Sequence, residues 1–125
     1  MIYGIGTDIV NISRIKKMRS LKSFSEKILS VNELKISSSY DANKFIAYLA
    51  KQFACKEAIS KAFGTGIRKS ISFKELEILR DEKGKPYFNP LGDVKKNIIN
   101  LGITKTHVSL ADESEYAIAF AILEI

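Results

Sequence analysis

The sequence predicts an α+β fold, a mainly antiparallel sheet packed on one long helix with shorter helices beside it. Three stretches carry that prediction. Residues 116–123 alternate Tyr116, Ile118, Phe120 and Ile122 against Ala117, Ala119 and Ala121, the period of a buried strand whose alanine face leaves room for a helix. Residues 73–88 read as a hairpin: an alternating run Phe73 to Leu79, a turn signal from Asp81 to Pro86, and a short return strand starting at Tyr87-Phe88. Between Asp41 and Gly64 lies a run of about 20 residues without proline or glycine, roughly 30 Å of helix and the packing spine of the domain. Strands interspersed with helices and hairpins give the α+β class.

In chain order, Ile2 to Ile12 is a strand candidate, with Gly4, Gly6, Asp8 and Val10 on one face and Tyr3, Ile5, Thr7 and Ile9 on the other. The two glycines beside Asp8 leave room for close approach to the backbone. Ser13 is expected to cap a short basic helix with Ile15 and Met18 on its apolar side. Short helices follow over Phe24 to Leu29 and Asn32 to Ile36. Ser37-Ser38-Ser39 breaks the pattern, and Asp41 or Asn43 caps the long helix, which Gly64 ends as a left-handed cap. Beyond the hairpin, Pro90 to Leu101 reads as a helix stopped by Gly102. Thr106 to Ala111 reads as a strand, with His107 and Ser109 on one face and Val108 and Leu110 on the other. No repeat, low-complexity segment or linker divides residues 1–125, so a single domain is expected.

Composition narrows the class. The 125 residues are 46% hydrophobic and 27% charged, ordinary for a globular protein, and no apolar run approaches the ~18 residues of a membrane span. The segment Met1-Ile2-Tyr3-Gly4 starts like a strand, without the basic start and cleavage site of a signal peptide. A single cysteine, Cys55, excludes an intrachain disulfide and a cysteine-rich zinc site. A cytoplasmic protein is expected. The net charge of +6 is uneven: residues 1–69 hold 13 Lys/Arg against 5 Asp/Glu, whereas residues 70–125 hold 7 against 9. From Arg14 to Lys27, six cations face only Glu26. Such a patch suits an acidic partner, whether nucleic acid, anionic membrane or acidic protein.

The chemistry-bearing stretch is Phe53 to Ile67. Glu57 and Lys61 share a helix face, and Glu57 continues the apolar stripe of Ile46, Leu49, Ala50 and Phe53. A carboxylate there needs a cation, a proton or a metal. Gly64, Thr65 and Gly66 offer backbone amides to an anion. Asp8, Glu57, Lys61 and His107 are the groups to bring together. Two carboxylates suit Mg²⁺, which leaves its remaining places to waters and phosphate oxygens. Spacing alone thus suggests metal-assisted phosphate chemistry.

Four blocks sharpen this: Gly4-Ile5-Gly6-Thr7-Asp8-Ile9-Val10, then Phe53-Ala54-x-Lys56-Glu57-Ala58-x-x-Lys61-Ala62-Phe63-Gly64-Thr65-Gly66-Ile67, Gly84-Lys85-Pro86, and His107-Val108-Ser109-Leu110-Ala111-Asp112. In order and spacing, over essentially the whole chain, they resemble the holo-acyl-carrier-protein synthases, the trimeric bacterial 4′-phosphopantetheinyl transferases. The resemblance implies transfer of the phosphopantetheine arm of coenzyme A to a serine of acyl carrier protein, in support of fatty acid biosynthesis, releasing adenosine 3′,5′-bisphosphate. It implies Asp8 and Glu57 as Mg²⁺ ligands, and Lys61 with Gly64, Thr65 and Gly66 on the diphosphate. Phe53, Lys85, Pro86, His107 and Ser109 would lie along the coenzyme, the last four reached from a neighbouring subunit of a homotrimer. Arg14, Met18, Lys22, Phe24 and Lys27 would dock the acidic carrier protein. For the base that takes the serine proton, Glu57, a metal-bound water and His107 are all open, with Glu57 or the water favoured.

One position departs from better-known relatives, which carry Arg where this chain has Gln52. If that Arg grips the coenzyme's 3′-phosphate, Lys51 or Lys44 must substitute, and discrimination against the 3′-dephospho coenzyme is expected to fall. Two other classes compete. A nucleic-acid-binding module would account for the charge but not for Asp8 and Glu57, and its basic stretch lacks interleaved stacking aromatics. A catalytically inactive interaction protein would not need Asp8, Glu57 and Lys61.

Overall fold

A computed structural model describes residues 1–64 and 71–125. The chain runs β1 (Ile2–Asn11), α1 (Ile12–Lys16), α2 (Leu21–Ile28), α3 (Val31–Ser37), α4 (Ala42–Ala62), a 3₁₀ turn (Phe73–Glu75), β2 (Leu76–Arg80), β3 (Pro86–Pro90), α5 (Gly92–Asn100), β4 (Lys105–Asp112) and β5 (Tyr116–Glu124). Strands β1, β5 and β4 form an antiparallel sheet in that order, and β2 pairs with β3 in a separate hairpin. The α+β class and the antiparallel pairing are as the sequence predicts.

Helix α4 is the spine. Asp41 caps it, its carboxylate accepting from the Lys44 amide at 2.8 Å, and Gly64 ends it at φ +81°, a conformation that glycine adopts without strain. It lies across the sheet because that face of the sheet has almost no side chains. Ala117, Ala119 and Ala121 are buried, and a Cβ on Gly6 or Gly4 would sit 1.8 Å from the Ala58 carbonyl oxygen or 1.9 Å from that of Ala62. The register pairs Asp8 with Ala119, so Asp8 emerges on the helix side of the sheet, beside α4.

Several boundaries differ from the sequence reading, each for a local reason. Asn11, not Ser13, caps α1: its side-chain oxygen accepts from both the Ser13 amide and hydroxyl, at 2.9 and 2.8 Å. Helix α2 starts at Leu21 rather than Phe24, capped by Ser20. Helix α3 covers Val31–Ser37 through a reciprocal box between Ser30 and Glu33. Phe73–Glu75 is a 3₁₀ turn because the Ser72 hydroxyl and carbonyl accept from Lys74 and Glu75, so the strand begins only at Leu76. Helix α5 spans Gly92–Asn100 rather than starting at Pro90. Strand β5 is buried on its alanine face alone; Tyr116, Ile118 and Phe120 on the other face are 40%, 45% and 42% exposed.

Under the helices lies a charged network absent from the sequence reading. Lys56 is fully buried and spends its three ammonium hydrogens on the Ile28 carbonyl, the Phe73 carbonyl and Glu33 Oε1, at 2.8, 2.9 and 2.7 Å. Glu33, also fully buried, accepts in addition from the Ser30 and Ile78 amides and from Gln52 Nε2. Burial pulls the Lys56 ammonium below the usual lysine range, and the Glu33 carboxylate opposes that shift. The network ties α2, α3, the 3₁₀ turn and β2 to the spine. Replacing Glu33 with Ala strands the ammonium and is expected to cost about 3–5 kcal/mol. The paired change Glu33→Leu with Lys56→Met should be milder than either single change in urea denaturation.

Candidate active site

Asp8 leaves β1 toward α4, and Lys61, in the last turn of α4, reaches back to meet it. The Lys61 ammonium donates to Asp8 Oδ1 at 3.0 Å and to the Thr7 carbonyl at 3.1 Å. One turn earlier on the same helix face, Glu57 lines a cleft of about 380 Å³ together with Asp8, Phe53, Arg14, Met18 and Phe24. Burial raises the Glu57 carboxyl above the usual range, the Asp8 charge raises it further, and Lys61 partly offsets both. Two like charges held on a rigid strand and a rigid helix, one of them half-buried, form a donor pair that a hard divalent cation relieves. The donor set fits Mg²⁺: two carboxylates, with open space for the other ligands. Among the described residues no third acidic, histidine or cysteine side chain joins them.

Aromatic rings line the cleft beside the carboxylates. Phe53 meets Phe24 edge-on at 5.3 Å and Phe73 at 5.7 Å between ring centres. Arg14 and Met18 extend the cleft toward the basic helices, where Lys22 and Lys27 are exposed. Gly64 stands at the helix end; Thr65 and Gly66 lie outside the described residues. Cys55, next to this stretch, is buried, and burial pushes its thiol up to about 12, so it is not a nucleophile at neutral pH.

His107 and Ser109 are not brought to this cleft. They sit on the outer face of β4, opposite the face that α4 covers, with β5 between β4 and β1. Lys85 and Pro86 belong to the β2–β3 hairpin, with the Lys85 amide bonded to Asp81 Oδ1. One chain therefore joins Asp8, Glu57, Lys61 and Phe53 to Arg14, Met18 and Phe24 of the expected docking surface and leaves the other coenzyme candidates elsewhere.

Gln52 turns into the core, donating to Glu33 and to the Ile78 carbonyl, because both acceptors are buried and need a donor. The position expected to have lost a phosphate contact thus serves the network instead. Lys44 and Lys51, the expected substitutes, line a second cleft of about 670 Å³ with Arg80, Tyr40 and Tyr48. The Tyr48 hydroxyl there is buried without a hydrogen-bond partner among the described residues. Sequence reading missed Arg80 and both tyrosines, since only the packing of β2 against α4 brings them together.

A model of the 4′-phosphopantetheinyl transferase superfamily matches residues 4–121. The chain belongs to that superfamily. It is 46% identical over 125 residues to a holo-[acyl-carrier-protein] synthase of Salmonella arizonae, covering 98% of this chain and 94% of the relative. Its fold superposes on the crystal structure of the synthase from Neisseria meningitidis with a TM-score of 0.90 at 41% identity, each chain fully covered. A synthase from Bacillus anthracis, solved in complex with CoA (3′,5′-ADP), is similar at a TM-score of 0.84 and 36% identity, over 98% of this chain and 96% of that one. Within the superfamily's fold, the strand-borne Asp8 and the helix-borne Glu57 and Lys61 line one end of the spine.

Proposed function

We propose that this protein transfers the 4′-phosphopantetheine arm of coenzyme A to a serine hydroxyl of apo-acyl carrier protein, with Mg²⁺ as cofactor. The observation that carries the reading is the Asp8–Glu57 pair beside Lys61, in a cleft whose rim is the basic surface of α1 and α2. Displacement at a pyrophosphate phosphorus requires positioning and charge neutralisation rather than covalent catalysis. Asp8 and Glu57 would hold the metal, which when bound neutralises phosphate charge and orients the coenzyme. Lys61 holds Asp8 in place and brings a cation to the diphosphate. Glu57, or a water beside it, takes the serine proton, since both stand at the position where the hydroxyl must lose it.

The coenzyme is bulkier than this cleft, and an exposed apolar face supports its continuation onto a second copy. The outer sheet face exposes Ile5, Ile9, Ile118 and Phe120 beside His107, an apolar patch that a partner covers in a stable assembly. A homotrimer with active sites between subunits uses that face and presents His107, Ser109, Lys85 and Pro86 of a neighbour to the coenzyme. Lys44 and Lys51, in the larger cleft, would take the 3′-phosphate. Phe120→Glu is expected to yield monomers by sedimentation and to lower the transfer rate with them.

Docking follows from charge. The carrier protein is acidic, and Arg14, Lys22 and Lys27 are exposed around the half-buried Met18 and Phe24. Arg14→Glu with Lys22→Glu should raise the carrier-protein KM about tenfold or more, with a weakened salt dependence, and leave the coenzyme KM near its original value. A cytoplasmic location accords with the substrates; no helix among the described residues is long and apolar enough to cross a membrane.

Intact mass spectrometry of apo-acyl carrier protein tests the reading. Incubation with this protein, coenzyme A and Mg²⁺ should add one phosphopantetheine arm, and EDTA should abolish the gain. No gain across several carrier proteins in a folded sample overturns it. The 3′-dephospho coenzyme, run in parallel, probes the larger cleft: a Lys44→Ala/Lys51→Ala variant that keeps the wild-type preference removes those lysines from the site.

A further inference from the structure

Glu124 faces the same side of the sheet as His107. The register pairs His107 with Ile122 and Lys105 with Glu124 across β4 and β5, which makes His107 and Glu124 diagonal neighbours on the outer face. The His107 Nε2 lies 2.7 Å from Glu124 Oε2. Glu124 is held below the usual carboxyl range, first by this hydrogen bond and then by the nearby charges of His107, Lys105 and the Met1 amine. It is therefore a carboxylate wherever imidazole titrates, and a carboxylate only accepts. Nε2 keeps its hydrogen whether the ring is charged or neutral. Nδ1, the other ring nitrogen, makes no hydrogen bond among the described residues.

We propose that Glu124 is a positioning residue for His107, fixing Nε2 as a permanent donor and reserving Nδ1 for an anionic oxygen of the coenzyme bound by a neighbouring copy. The proposal rests on the transferase reading and adds to it a residue outside the four motif blocks. With the ring charged, Nδ1–H donates to the anion; with the ring neutral, Nδ1 presents a lone pair and the contact is lost. His107 is thus a binding group of the coenzyme and not the proton acceptor for serine. The groups facing the pair are the Lys105 and Met1 cations and, through β5, the uncharged Ile122. An exposed pair of this kind contributes little to folding, so its effect falls on substrate and not on melting temperature.

His107 is the one histidine in the chain, so ¹⁵N imidazole NMR reads a single ring. In the wild type the Nε2–H proton should be protected from exchange, and added coenzyme A should shift Nδ1 while Nε2 stays near its free position. Glu124→Ala should lose the protection, with both nitrogens responding to coenzyme. In kinetics, Glu124→Ala should raise the coenzyme KM roughly fivefold with kcat within about twofold, and Glu124→Gln, which keeps an acceptor oxygen, should recover part of that loss. The double variant with His107→Ala should be no worse than His107→Ala alone. An unprotected Nε2–H, an Nδ1 that ignores coenzyme, or additive losses in the double variant each overturn the proposal. If the wild type transfers nothing, the transferase reading fails by itself, and exchange protection of Nε2–H still decides whether Glu124 fixes the ring.

Discussion

Glu57→Gln should lower the transfer rate by a factor of about 10³ while leaving the fold intact. The change removes a proton acceptor, an effect of about 10²–10⁴, and one of the two carboxylates that fit the cation. Asp8→Asn should be of similar size, because it removes the other carboxylate and the negative charge that Lys61 meets at 3.0 Å. The pH behaviour gives an independent check. Burial and the Asp8 charge raise the Glu57 carboxyl, so protons compete with the cation at a higher pH than for an ordinary glutamate. The Mg²⁺ concentration needed for half-maximal rate should climb as pH falls through that titration. For the metal-free protein the sign runs the other way. A carboxyl raised on folding contributes stability that is fully present below its unfolded value and is lost as pH rises through the folded one. Metal-free Glu57→Gln should then melt at or above the wild-type temperature at neutral pH, and excess Mg²⁺ should reverse the order. Scanning calorimetry with and without Mg²⁺ reads both signs. A variant that keeps its rate within tenfold removes Glu57 from the reaction.

Gly6→Ala should be the most damaging single methyl in the described structure. Its Cβ would stand 1.8 Å from the Ala58 carbonyl oxygen and 2.8 Å from the Ala62 amide nitrogen. Both are backbone atoms of α4, with no rotamer to yield. The helix must lift from the sheet, which uncovers Ala117, Ala119 and Ala121 and carries Glu57 and Lys61 away from Asp8. We expect a loss of at least about 3 kcal/mol, the upper range for overpacking, and a melting temperature lower by roughly 10 °C or more. Gly84→Ala provides the contrast. Gly84 sits at φ +85° with nothing within 4 Å of where an added methyl would stand, so only the backbone cost of about 1–2 kcal/mol applies. Equal losses for the two variants would mean that α4 is not seated on β1 through these glycines.

Much of the candidate cleft was legible in the chain because its parts are local. The period-two pattern at β5, the glycine–aspartate face of β1 and the Glu57–Lys61 spacing on α4 each follow from backbone repeat alone. Helix starts were less legible: Asn11 caps α1 in place of Ser13, and Ser20 starts α2 at Leu21, three residues before Phe24, because several adjacent side chains can accept the same amides and only geometry selects one. Lys56 read as part of the reactive motif, whereas its ammonium is consumed by two carbonyls and Glu33. Gln52 read as a lost phosphate contact, whereas it serves the same carboxylate.

Spacing along one strand or one helix suffices for the class of fold, the long spine and the choice of Asp8, Glu57 and Lys61 as candidates. Tertiary structure decided which side of the sheet every group faces. It placed Asp8 under the spine and His107 on the opposite surface beside Glu124, and it buried Lys56 with Glu33. Contacts between residues 17 to 53 positions apart depend on strand register and helix seating. Those are set by the summed packing of the glycine and alanine face, which no short stretch of the chain contains.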